Sequence, residues 1–220
     1  MSAVSDHSRQ HDLAGIALRA SLLGFLLGGS LILACTTYIA RPQLPLYIVF
    51  LAFFHIMEFW TTAQFNVKNA NTASFLLSSN GLAYWAAQAA GVTEYLVICH
   101  FFPHLHNSSR ATIAFVVGLL CVVFGQGIRS FAMAQAGQSF SHALAYTKKQ
   151  EHVLVTGGIY SYDRMYLDSV FELIWDRFSR HPSYLGFFYF GIGTQIMLGN
   201  PISSIIFAGV LWRFFNERIR

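Results

Sequence analysis

Long apolar runs alternate with short polar segments along this 220-residue chain. A helix that crosses the hydrocarbon core of a bilayer needs about 20 mostly apolar residues. The pattern therefore predicts an all-α, polytopic membrane protein with about six transmembrane helices. The last two are short, and Asn200-Pro201 between them favours a tight turn and a C-terminal helical hairpin. The predicted spans are 13–39, 44–61, 81–102, 111–133, 184–198 and 202–215.

One long polar segment, residues 135–183, interrupts this pattern between the fourth and fifth spans. A long loop in a compact protein is more often functional than idle. The sequence therefore predicts two regions. Residues 1–134 form an N-terminal transmembrane bundle of four spans, and residues 135–220 hold the loop, the two-helix hairpin and the chemistry.

The composition excludes an ordinary soluble domain, because 55% of the residues are hydrophobic and only 11% are charged. Soluble domains carry roughly 25% charged residues. The net charge of +4 is modest, and the basic residues lie beside apolar runs, which favours a lipid bilayer as partner and not nucleic acid. Cys35, Cys99 and Cys121 all lie in apolar runs, so we expect small buried hydrophobes and no disulfide framework.

Lys and Arg are distributed unequally between the two sides of the predicted bundle, and cytosolic loops are the ones enriched in them. With a cytosolic N-terminus, the opposite side holds only Arg41 and Arg110, so both chain ends are predicted to be cytosolic. The cytosolic set is Arg9, Lys68, Lys148, Lys149, Arg164, Arg177, Arg180, Arg218 and Arg220.

Two polar strings stand out, both in or beside the long segment. We call residues 154–160 the first signature and residues 180–188 the second signature. Polar and charged residues in an apolar chain are costly and usually functional. The strings predict a polar site where cytosol meets lipid. They read Leu154-Val155-Thr156-Gly157-Gly158-Ile159-Tyr160 and Arg180-His181-Pro182-Ser183-Tyr184-Leu185-Gly186-Phe187-Phe188.

Acidic residues inside two predicted spans have two interpretations. Glu58 and Glu94, with His55 and His100 nearby, are either site residues or structural interhelical hydrogen-bond partners, and the second is favoured. The side chain of Arg129, near a helix end, either extends to the membrane–water interface or covers the active site.

Two further patterns are weaker. Gly24 and Gly28 fit a close-packing helix face, or are merely common membrane glycines. His104 and His106 hint at a metal, but no third ligand is evident, so a solvated loop is favoured and no metal site is predicted.

The order of motifs resembles the isoprenylcysteine carboxyl methyltransferase family over roughly residues 115–218. Phospholipid methyltransferases and sterol reductases share Arg-His-Pro-x-Tyr-x-Gly. The reductases usually place Asn and an acidic residue where this chain has Ser183 and Phe187. The resemblance rests on His142, on His152 to Tyr160, on the second signature, and on Gly193-Thr194-Gln195, Asn200-Pro201 and Trp212-Arg213-Phe214-Phe215.

The resemblance implies methyl transfer from S-adenosyl-L-methionine to the C-terminal carboxylate of a prenylated cysteine. The substrates would be prenylated CaaX-type proteins, and the location would be the endoplasmic reticulum membrane with the active site facing the cytosol. An α-carboxylate has a pKa of about 3.5 and is already an anion at pH 7, so no general base is needed.

The resemblance also implies roles for particular residues. Arg218 matches a family arginine that pairs with the substrate carboxylate, for which a guanidinium fork is suited. Aromatic side chains in both halves of the hairpin either line the path of the prenyl chain or simply pack; they are Phe187, Phe188, Phe214 and Phe215. The expected cofactor-binding residues are His152, Val153, Leu154, Val155, Tyr160, His181, Pro182, Ser183 and Tyr184.

The chain departs from the family pattern in two places. Residues 162–177 look inserted between the signatures, and are either a short amphipathic surface helix or a retained intron in a mispredicted gene, the second being favoured. The family's acidic C-terminal tail, which helps to hold the cofactor, does not follow Arg220. The alternatives are a phospholipid or small-lipid methyltransferase, or a catalytically inactive isoform.

Overall fold

A computed structural model describes residues 12–36, 42–106, 108–141, 160 and 181–219. Within these ranges there is no strand, and six helices have 17 or more residues, so the predicted all-α class is confirmed. A single helical turn, Pro103–His106, and three short 3-10 segments lie between them. The long helices are α1 Leu13–Cys35, α2 Gln43–Phe65, α3 Gly81–Phe101, α4 Ser109–Ala136, α5 Pro182–Leu198 and α6 Pro201–Ile219.

Helix ends follow local capping chemistry and explain why the predicted bounds shift by a few residues. The Ser108 hydroxyl accepts from the Ala111 amide at 3.2 Å, so α4 begins before the predicted residue 111. Pro182 occupies the first turn of α5, which therefore begins before Tyr184. Gly199, with φ of 78°, ends α5 in the left-handed conformation that glycine tolerates best.

Among the described residues, three helices are long and apolar enough to cross a membrane by length and composition: α1, α2, and α4 with the 3-10 turn that continues it to Ser139. Helix α5 has 17 residues, and such a helix spans about 26 Å against a hydrocarbon thickness of about 30 Å. The count of six spans therefore stays a prediction.

Glycines let α4 and α5 pack backbone to backbone. Gly118 and Gly125 on α4 face Gly193 and Gly186 on α5. A Cβ at Gly125 would lie 2.5 Å from the Phe190 amide nitrogen, and one at Gly186 would lie 2.6 Å from that of Arg129. Small residues permit this close approach in membrane bundles. The contact brings the start of α5 beside the end of α4.

Close packing at Gly24 and Gly28 of α1 is not observed, because a Cβ at either position would meet nothing within 4 Å among the described residues. The three cysteines are free, as expected. Cys35 is exposed at the last position of α1, however, so its predicted burial is wrong; Cys99 and Cys121 are partly buried.

The end of the bundle that holds the α5–α6 turn is fixed by polar contacts. Glu94 of α3 caps α6, accepting from the amides of Ile202 at 2.8 Å and Ser203 at 2.7 Å. Asn200 donates to the Gly91 carbonyl at 2.8 Å and to Gln195 Oε1 at 3.0 Å. The predicted turn and hairpin are confirmed, and the structural interpretation of Glu94 is confirmed with them.

Candidate functional site

Four helix ends meet at the opposite end of the bundle from the α5–α6 turn. They are the C-terminal ends of α2, α4 and α6 and the N-terminal end of α5. Side chains join them: Asn66, which follows α2, donates to the carbonyl of Phe140, which follows α4, at 2.8 Å. Helix α5 begins with the second signature, so this is where its residues lie.

Arg129 of α4 is the polar centre of this end, and only 6% of its surface is exposed. Its Nε donates to Glu58 Oε1, and its Nη2 donates to Glu58 Oε2 at 2.8 Å, which forms a side-on fork on the carboxylate. Its Nη1 donates to Ser183 Oγ at 3.1 Å and to the Ser183 carbonyl at 3.3 Å. Arg129 therefore does not extend to the interface; it contacts the second signature.

Two aromatic rings enclose the same guanidinium. Its central carbon lies 5.6 Å from the centroid of Phe54 and 5.1 Å from that of Phe187. The rings of Phe54 and Phe190 stack at 4.9 Å and carry this packing into the core. A cation held between ring faces gains quadrupole attraction, and it is also shielded from water.

The described part of the second signature, residues 181–188, forms the start of α5, and Arg180 lies outside the described residues. The His181 carbonyl accepts from the amides of Tyr184 at 2.9 Å and Leu185 at 3.2 Å. The His181 ring stacks on Tyr184 at 5.4 Å, and Tyr184 stacks on Phe215 of α6 at 4.8 Å. Pro182 and Ser183 are buried. The turn thus presents a column of three ring faces that links α5 to α6.

Tyr160, the last residue of the first signature, reaches the same end. Its hydroxyl donates to the Ala132 carbonyl of α4 at 3.1 Å. Burial raises the pKa of Tyr160 to about 12, although the positive charge of Arg129 opposes this shift. The phenol is therefore neutral and a hydrogen-bond donor at physiological pH. The two signatures approach α4 within one turn of Arg129.

Arg218 lies near the end of α6. Its guanidinium sits over the Phe214 ring at 4.4 Å, and Phe214 contacts Phe215 edge-on at 5.3 Å. Arg218 is thereby connected to Tyr184 through two rings. Phe187 and Phe215 are packed in this end of the bundle, with centroids 6.0 Å apart, whereas 43% of Phe214 is exposed.

The structure thus brings together six of the predicted site residues: Arg218, Tyr160 and the run His181, Pro182, Ser183 and Tyr184. The other four, His152, Val153, Leu154 and Val155, lie outside the described residues, as does the segment 162–177.

Sequence reasoning did not identify the joint role of Glu58 and Arg129, which are 71 residues apart. The available signal was an acid in one predicted span and an arginine in another, each costly in an apolar environment unless paired.

Two of the histidines considered from the sequence have structural contacts. His55 is a structural partner, as favoured: its Nδ1 lies 2.7 Å from the Phe75 carbonyl and its Nε2 lies 3.3 Å from the Tyr84 hydroxyl. His106 packs its ring edge-on against Tyr95 at 5.2 Å. The described residues hold no group of three His, Cys, Asp or Glu side chains suited to a metal.

Comparison with known proteins connects this arrangement to one family. The family model described as isoprenylcysteine carboxyl methyltransferase (ICMT) matches residues 116–176 and 172–220, and its two matches meet inside the segment 162–177. A solved structure described as a eukaryotic intramembrane Ras methyltransferase, ICMT, superposes with a TM-score of 0.78 at 32% identity. It covers 93% of this chain, and this chain covers 66% of it.

Curated relatives agree. The protein-S-isoprenylcysteine O-methyltransferase of Saccharomyces cerevisiae is 40% identical over 96% of this chain and 82% of its own length. That of Schizosaccharomyces pombe is 40% identical over 79% of this chain and 70% of its own length. That of Homo sapiens is 37% identical over 92% of this chain, which spans 64% of the human protein. The chain therefore belongs to the isoprenylcysteine carboxyl methyltransferase family.

Proposed function

We propose that this chain methylates the C-terminal carboxylate of a prenylated cysteine, with S-adenosyl-L-methionine as the methyl donor. The substrates are prenylated proteins of the CaaX class. The observation that carries the proposal is that residues of both signatures contact the same part of α4, Tyr160 at the Ala132 carbonyl and Ser183 at Arg129. A site assembled from these strings, in a chain 40% identical to a named methyltransferase, favours this chemistry.

The cofactor-binding residues we propose are His152, Val153, Leu154, Val155 and Tyr160 from the first half of the site. The run His181, Pro182, Ser183 and Tyr184 supplies the second half. The bound cofactor supplies an electrophilic methyl group on a positively charged sulfur. Aromatic rings surround this part of the site, with His181 stacked on Tyr184 and Tyr184 stacked on Phe215, and aromatic surroundings suit such a cation because rings attract positive charge.

Arg218 is the residue we propose to orient the substrate carboxylate. A guanidinium offers a planar fork that matches a carboxylate, and it stays charged at any physiological pH. Its guanidinium lies over the Phe214 ring at 4.4 Å, so the ring supports one side of the planar group. The carboxylate is already an anion, so the site has to align the reacting atoms and exclude water, and no base has to remove a proton.

The membrane placement is also part of the proposal. Six spans place both chain ends and the site on the cytosolic side of the endoplasmic reticulum membrane. The Lys and Arg distribution supports this orientation. Three helices support spanning by their length and composition. Loss of a carboxylate charge beside a lipid anchor strengthens membrane attachment of the product.

A methyl-transfer assay tests the proposal. Membranes from cells that express the full chain are incubated with radiolabelled S-adenosyl-L-methionine and either N-acetyl-farnesylcysteine or phosphatidylethanolamine. We expect base-labile label on the prenylcysteine and none on the phospholipid. The comparisons do not favour the lipid methyltransferase alternative. Label on the phospholipid alone would replace the proposal with that alternative. Silence on both substrates from well-expressed protein would favour the inactive isoform.

A further inference from the structure

The buried ion pair of Glu58 on α2 and Arg129 on α4 lies beside the site proposed for the positively charged methyl donor. Glu58 is 1% exposed and Arg129 is 6% exposed, and both carboxylate oxygens of Glu58 are bonded to the guanidinium. Replacing such a pair with apolar residues is often neutral or stabilising, so stability alone is a weak reason for its presence. A role in the site therefore has to be considered.

Arg129 is needed at the second signature, because its Nη1 bonds both the hydroxyl and the carbonyl of Ser183. That contact places a permanent positive charge at Ser183, in the part of the second signature where the proposed function puts the cationic methyl donor. Two positive charges in a water-poor site repel each other strongly, because the low dielectric hardly screens them. Without compensation, the residue that fixes the signature would weaken the binding of the methyl donor.

On the basis of the proposed function, we infer that Glu58 is a positioning and charge-compensating residue of the cofactor site. Its carboxylate neutralises Arg129, so that the site accepts a cationic sulfur. The carboxylate of Glu58 accepts from Nε and Nη2 of Arg129, and this leaves Nη1 of Arg129 directed to Ser183. The rings of Phe54 and Phe187 keep the guanidinium in this orientation. Glu58 thus acts on the cofactor through Arg129 and does not need to contact it.

A pair of ligands that differ only in charge at sulfur isolates this effect. S-adenosylmethionine carries a sulfonium, and S-adenosylhomocysteine carries a neutral thioether in the same framework. Binding of both is measured by calorimetry on the full chain in lipid nanodiscs. We expect Glu58→Gln to raise the ratio of the two dissociation constants, sulfonium over thioether, about tenfold. An uncompensated charge acting over roughly 10 Å at an effective dielectric constant of about 20 has this size.

Two controls separate the charge effect from lost stability. Glu94→Gln makes the same change at the opposite end of the bundle, where Glu94 caps α6, and it should leave the ratio unchanged. Glu58→Leu combined with Arg129→Leu removes both charges, so the ratio should return to the wild-type value even if both ligands bind more weakly. If Glu58→Gln does not fold, Glu58→Ala, which also removes the charge, is measured in its place and should raise the ratio in the same way, whereas Glu58→Asp, which keeps the charge, should keep the wild-type ratio.

Equal weakening of both ligands by Glu58→Gln, or an altered ratio in the double variant, would overturn the inference and leave Glu58 a packing residue. Failure of the proposed function gives different results: a wild-type chain that binds neither ligand has no methyl-donor site, and label on the phospholipid alone reassigns the substrate.

Discussion

At the scale of single residues, the site end of the bundle combines buried and exposed charges with different roles. Arg129 is buried and fully engaged by Glu58 and Ser183, so it organises the site. Arg218 lies on an aromatic ring near the end of α6, and its fork is the one suited to an incoming carboxylate. Arg213, one turn earlier, makes an exposed ion pair with Glu217.

Arg218→Ala should lower kcat/KM for N-acetyl-farnesylcysteine about 100-fold, because a charge-assisted bond to the substrate carboxylate is worth up to about 3 kcal/mol. Arg218→Lys keeps the charge and loses the fork, so it should recover only part of the activity. Arg213→Ala is the matched control. Its pair with Glu217 is 82% and 63% exposed, and activity should stay within about twofold of wild type. Equal losses in both alanine variants would contradict the role of Arg218.

Tyr160→Phe should raise KM for S-adenosyl-L-methionine about fivefold, because it removes one hydrogen bond worth about 1 kcal/mol that ties the first signature to Ala132. Burial raises the pKa of Tyr160 to about 12, so the phenol stays protonated until the pH rises towards that value. The ratio of variant to wild-type KM should therefore be constant between about pH 6 and pH 9. A ratio that falls towards one as the pH rises would show that the phenol ionises in this range.

At the scale of elements, α4 and α5 are held together by backbone contact, and this contact sets the geometry of the site. Gly125 and Gly186 face each other, and the amide nitrogen of Arg129 lies against Gly186. Any increase in the distance between these helices would also separate Arg129 from Ser183. The packing of α4 against α5 therefore also positions Arg129 and Ser183 in the site.

Gly125→Ala should destabilise the protein by about 1–3 kcal/mol, because the new methyl group would overlap the Phe190 backbone, which cannot move independently of α5. Gly127→Ala, on the same helix, is the control: a Cβ there meets no described residue within 4 Å, and alanine favours helix. Thermal unfolding in detergent, followed by tryptophan fluorescence, compares the two. Matching midpoints would show that the glycine contact does not limit stability.

At the scale of the whole molecule, the two ends of the bundle differ in what their polar residues do. One end is closed by Glu94 and Asn200, which cap and join helices. The other end gathers Arg129, Tyr160 and the second signature. The segment 162–177 lies in sequence between the two halves of this second end. A loop can in principle leave the site, because closure entropy grows only with the logarithm of loop length.

Deletion of residues 162–177 should increase methyl transfer by the full chain, because the signatures are then joined by the short link that the family resemblance implies. Activity per folded protein is measured with N-acetyl-farnesylcysteine, with folded protein quantified by size-exclusion chromatography. Deletion of the same segment from an Arg218→Ala chain provides the control and should restore nothing. A well-folded deletion variant with reduced activity would show that the segment contributes to the site.

The helices, the hairpin and the two signatures were predictable from the sequence, because these depend on local features. Apolar runs of about 20 residues specify long helices, and Asn200-Pro201 specifies a turn, whatever the rest of the chain does. The signatures are contiguous strings, so their residue types can be recognised without knowing where they lie. The presence of an acid and an arginine in apolar surroundings was visible in the same way.

Which of these residues contact one another was not predictable from the sequence, because it depends on how the helices pack. The pair of Glu58 and Arg129 depends on the rotation of α2 and α4 about their axes, and the contact with Ser183 depends on how far α5 slides along α4. Glycines 125 and 186 fix that register, whereas Gly24 and Gly28, of the same residue type, face open space. A sequence shows which side chains are costly in an apolar environment, but helix packing determines which partner offsets that cost.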